Sequence, residues 1–96
     1  MDKTRIKQSL IKGWLRNIPE HAKNMESNLS WAKHFKAESA EGQIPHEQKW
    51  ATHHMNVIRD AEKYLNEHLE GQIPSETAAI IAKAEATYSE IMNINK

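Results

Sequence analysis

No cysteine occurs anywhere in this chain of 96 residues. A disulfide scaffold and a thiolate zinc site are excluded, and a reducing compartment fits the composition. Glycine and proline number three each, and three isolated glycines cannot build the loops that cradle a nucleotide phosphate. Long apolar runs are missing as well. The longest, Ala78-Ala79-Ile80-Ile81-Ala82, falls far short of the ~20 residues of a membrane span. The opening residues Met1 to Arg5 turn charged at once, unlike the apolar start of a secretory signal. A single cytoplasmic domain covering 1–96 is the expectation, because this length supports one small core. Charge of one sign is lacking too, with 13 Lys+Arg against 13 Asp+Glu, which excludes a generic coat for nucleic acid.

What is there is helical punctuation and helical periodicity. Glu41-Gly42-Gln43-Ile44-Pro45-His46-Glu47 recurs as Glu70-Gly71-Gln72-Ile73-Pro74-Ser75-Glu76. A glycine just past a helix accepts the left-handed cap, and a proline a few residues later restarts a helix where no N–H is needed. With Pro19 as a third start signal, the spacing predicts four helices, at about 4–17, 19–41, 45–70 and 74–93. Ile6, Leu10, Ile11, Trp14 and Leu15 stripe the first, and Ala22, Met25, Leu29 and Ala32 form a seam on the second. Trp50, His54, Val57, Ile58, Ala61, Tyr64, Leu65, His68 and Leu69 share a face of the third. No segment alternates like a strand, so the fold class is all-α, an elongated antiparallel helical hairpin extended into a bundle.

Site chemistry is sparse. Six histidines invite a metal, yet no two of them stand three or four residues apart, and adjacent His53 and His54 diverge by about 100° around a helix. No nucleophile elbow or glycine-rich oxyanion turn occurs. The reading is of a non-enzyme with no cofactor and no metal. His54 and His68 lie on the apolar face of their helix, where an imidazole satisfied by one hydrogen bond is the simplest expectation and a pH-sensitive interface the alternative.

The zero net charge is a sum of unlike parts. Lys3, Arg5, Lys7, Lys12 and Arg16 oppose Asp2 alone in residues 1–16, a net of +4, whereas residues 41–96 hold nine acids against five bases, a net of −4. The basic amphipathic first helix either lies on the acidic helices of its own chain or reaches an acidic protein, DNA or an anionic surface. A helix-turn-helix around the Gly-Gln-Ile-Pro turns is disfavoured, since the segment from Ser75 carries Glu76, Glu85 and Glu90 against Lys83 and phosphates repel it. Trp14, Trp31 and Trp50 are conspicuous, because Trp anchors protein interfaces as well as cores. Trp31 and Phe35 fall off the main seam and are the first candidates for external or oligomer contacts. Trp14 and the loops Ile44-Pro45 and Ile73-Pro74 come second.

The run Ser30-Trp31-Ala32-Lys33-His34-Phe35 resembles a Ser-Trp-Ala-basic-His-aromatic stretch on a helix of the lambda Gam family of phage host-nuclease inhibitors. The resemblance covers six residues. It implies a small helical phage protein that binds the host RecBCD nuclease in counter-defence and needs no catalytic residue. Since this chain is neutral and begins basic, docking on a protein surface suits it better than mimicry of DNA. The competing expectation is a small DNA-binding or recombination accessory protein that uses the basic first helix.

Overall fold

A computed structural model describes residues 3–94, with the side chains of Lys3, Thr4 and Ile6 outside the described residues. It contains three long helices, α1 (Lys3–Ala37), α2 (Ile44–His68) and α3 (Ser75–Asn93), with a single 3-10 turn, Glu41–Gln43, ahead of α2. Among the described residues there is no strand, so the all-α class holds.

Four helices become three because α1 runs through Pro19. An interior proline removes one backbone hydrogen bond and costs about 3 kcal/mol. Opposing that cost is an unbroken seam: Ile11, Leu15, Ile18, Ala22, Met25, Leu29 and Ala32 follow one another at alternating steps of four and three. Ile18, Met25 and Ala32 are fully buried, and apolar burial is worth roughly 1.5–3 kcal/mol for each large side chain. Pro19 itself is exposed.

Pairings across the helices fix the topology. Trp14 meets Tyr64, His21 meets His54, and Asn28 meets Glu47, so α1 and α2 run antiparallel. Gln48, Thr52 and Arg59 of α2 meet Ile91, Tyr88 and Glu85 of α3, again antiparallel. Lys83–Glu26 and Lys33–Glu90 then place α3 parallel to α1, beside its second half. The shared core is Ile18 and Met25 from α1, Met55, Ile58 and Leu65 from α2, and Ile81 and Ile91 from α3. The molecule measures 55 × 24 × 15 Å. Its long axis matches α1, whose 35 residues span about 52 Å at 1.5 Å each.

The two repeated phrases fold differently. After α2, Glu70 and Gly71 adopt positive φ of 53° and 78°, and the Gly71 N–H donates to the Asn66 carbonyl at 3.0 Å. That is the expected left-handed cap. After α1 the left-handed residue is Ser39, φ 56°, and the Ala40 N–H donates to the Phe35 carbonyl at 2.7 Å. Gly42 takes no positive φ, because the chain has already turned at Ser39. Pro45 sits in the first turn of α2, whereas Pro74 is the residue before α3.

Candidate functional site

α3 covers only one side of the α1–α2 hairpin. Its partners are Glu26, Lys33 and Lys36 on α1 and Gln48, Thr52 and Arg59 on α2. The opposite side is open, and the aromatic and histidine side chains gather there. At the end away from the 3-10 turn, the Trp14 ring lies 5.6 Å from Tyr64, which stacks on His68 at 4.0 Å between centroids. Midway, His21 of α1 faces His53 and His54 of α2, with centroids 6.1 and 5.0 Å away. Trp50 stands beside them, 5.9 Å from His53 and 6.4 Å from His54.

The centre of this patch is a hydrogen bond between two imidazoles, His21 Nδ1 to His54 Nδ1 at 2.8 Å. One ring must carry the proton and the other present a bare nitrogen. Burial is the main cause that lowers the His54 pKa below the ordinary value, followed by repulsion from His21 and His53. His21 is lowered by burial first and by His53 second, against the pull of Glu20. Among the described residues no group of three or more His, Asp or Glu is placed to hold a metal ion.

Toward the turn, Trp31 is 54% exposed and stacks on Phe35, centroids 5.7 Å apart, with His34 edge-on at 5.7 Å. Periodicity marks Trp31 as off the seam, and its exposure agrees. Ile44, in contrast, is fully buried: as the first residue of α2 it points into the core, so it belongs to no surface. Ile73 is half-buried against the core, while Pro45 and Pro74 are exposed. Trp14 is half-buried and packs on the core. Trp50, read from the sequence as either a core or an interface side chain, is 46% exposed.

The basic residues answer the question left by the charge pattern. Arg5, Lys7, Lys12 and Arg16 are all exposed, and the ion pairs among the described residues use Lys33, Arg59 and Lys83 instead. The start of α1 therefore packs at home through Ile11, Trp14 and Leu15, leaves Leu10 half exposed and turns these cations to solvent. Lys3's side chain lies outside the described residues.

Sequence reasoning missed His21. Its only signal was its flank position on the helix, four residues before Met25; the partner across the hairpin is set by the turn. No family model, curated protein or solved structure matches the chain.

Proposed function

We propose that the protein is a small non-catalytic module that docks on a larger host protein. The partner implied by the Ser30 to Phe35 run is the RecBCD nuclease, which docking blocks or modulates. The observation that supports this reading is the Trp31–Phe35–His34 cluster, where a large aromatic is more than half exposed at the end of a rigid helix. Exposed Trp beside aromatic neighbours is the composition of an interface anchor, and truncating such an anchor costs about 2 kcal/mol or more of binding. The test is capture of purified RecBCD by the full chain, read together with protection of linear DNA from digestion. Stoichiometric capture that weakens about 30-fold in Trp31→Ala is expected. Failure to capture or to protect at micromolar concentration would sink the reading.

A second reading is favoured by one observation: Arg5, Lys7, Lys12 and Arg16 are exposed on α1 and form no ion pair among the described residues. Four phosphate contacts give a slope of log affinity against log salt of about −3.6 on duplex DNA. A flat salt profile, or no binding, removes it.

A further inference from the structure

We infer that Ser9, Lys12, Gly13 and Arg16 form a seat for a phosphate group in the backbone of a nucleic-acid duplex. The inference rests on the reading that the cations of α1 meet DNA, and it assigns the place where the backbone docks.

Charge selects the occupant. From Lys3 to Pro19 the sequence holds no Asp or Glu. Arg5, Lys12 and Arg16 are exposed there and form no ion pair among the described residues. Arg5, Ser9, Lys12 and Arg16 follow at steps of four, three and four, so they fall along one strip of the helix surface. Glu20 stands one turn past Arg16, and its pull falls on His21. Polar links from α1 to α3 begin only at Glu26. The cations that tie the helices together lie elsewhere, and those of the strip complement an anion from outside the chain.

Shape sets where that anion sits. Glycine is disfavoured inside a helix, yet Gly13 has no positive φ, and a Cβ there would touch nothing within 4 Å. The chain's own packing gives no reason for it. With no side chain at this position, a notch of about 300 Å³ opens, lined by Ser9, Lys12, Gly13 and Arg16. A phosphate lowered into it meets the Ser9 hydroxyl as a donor, the Lys12 ammonium as a point charge and the Arg16 guanidinium as a fork.

The surroundings decide between sources of phosphate. A membrane-surface helix lays its apolar face into the lipid, but Ile11, Trp14 and Leu15 are packed against the core. Half-exposed Leu10 lies about 100° round the helix from Ser9. Single strands are held by bases stacked on aromatic rings, and the strip carries none, since Trp14 packs against Tyr64. A duplex needs only a row of cations along its backbone. Arg5 to Arg16 spans about 16 Å, the length of roughly five phosphates of one strand. Trp31 lies about 22 Å further along α1, so this seat and the anchor for a host protein do not overlap.

The test is fluorescence anisotropy of a labelled 20-base-pair DNA duplex titrated with the full chain between 50 and 200 mM salt. Binding is expected to weaken with salt, and Arg16→Gln to lower the slope of log affinity against log salt by about 0.9. Gly13→Leu is the decisive variant, because leucine favours the helix, leaves every cation in place and fills the notch. It is expected to melt at or above the wild-type temperature and to bind the duplex at least 10-fold more weakly. Ser9→Ala weakens binding about threefold, whereas Lys63→Gln, at an exposed cation of α2, leaves affinity within twofold. No duplex binding at 50 mM salt removes the seat and the DNA reading together. Binding that Arg16→Gln weakens and Gly13→Leu leaves unchanged removes the seat alone. A single strand, or vesicles of phosphatidylserine, bound more tightly than the duplex also overturns the proposal.

Discussion

Lowering the pH from 7.5 to 5 should weaken the fold through one pair of side chains, His21 and His54. Their bond needs a bare nitrogen on one ring, so protonating both rings abolishes it, at about 1 kcal/mol. Two imidazolium charges would then stand 2.8 Å apart. Coulomb's law sets their repulsion at about 1.5 kcal/mol for the dielectric of water and about 6 kcal/mol for an effective value of 20. Both rings are only partly buried, and rotation relieves part of the clash, so the lower figure is the one to use. The expected loss is about 2 kcal/mol. Its sign follows from the folded-state pKa values, which lie below the ordinary 6.5 for both residues. Between those values and 6.5 the unfolded chain binds more protons, so this contribution is complete above 6.5 and is lost as pH falls beneath it. Urea unfolding followed by circular dichroism at pH 7.5, 6.5, 5.5 and 5.0, at one fixed protein concentration, measures it. His54→Gln and His21→Gln should each flatten the slope by about 2 kcal/mol, because either change removes the contact between the two rings. A variant that keeps the full wild-type slope would refute the coupling.

Three further outcomes are expected. Ser39→Gly should raise stability by about 0.5–1 kcal/mol, since Ser39 holds a left-handed φ of 56° that glycine adopts without strain; an unchanged or lower urea midpoint contradicts it. Asn28→Ala should cost about 2 kcal/mol, because the Asn28 Nδ2 donates at 2.7 Å to the buried carboxylate of Glu47 and a buried charge left unpaired is expensive, and the double change Asn28→Ala with Glu47→Leu should recover much of the loss. Met55→Ala, at a fully buried site between the helices, should cost 2–5 kcal/mol, with calorimetry showing a drop on the order of 10 °C or more.

Much of this architecture was legible residue by residue. The steps of four and three from Ile11 to Ala32 mark the core face of α1, and the same rhythm places Met55, Ile58 and Leu65 inside. The error at Pro19 came from trusting a local rule: proline favours helix starts, yet a seam that keeps its phase on both sides outweighs one missing hydrogen bond. The αL turn fell to Ser39 rather than Gly42 for a related reason, since where a helix ends depends on what its last turn packs against. Ile44 reads as a loop residue only until α2 is seen to begin there. His54 was marked by its place on an apolar face; His21 was not, because the register across a hairpin is set by the turn and leaves no trace in either helix alone.

The flat, elongated build carries a consequence for how the molecule moves through water. A compact chain of this length has a radius of gyration of about 12.5 Å, whereas this one has 15.7 Å, with one dimension of only 15 Å. A body shaped like a plank tumbles anisotropically and drags more solvent than a sphere of equal mass. On a sizing column it travels as though heavier than it is, so early elution alone says nothing of association. Rotational diffusion is slowest about the short axes, and amide vectors along α1, which lie parallel to the plank's length, should relax as if they belonged to a larger protein than those in the turns at Ser39 and Gly71.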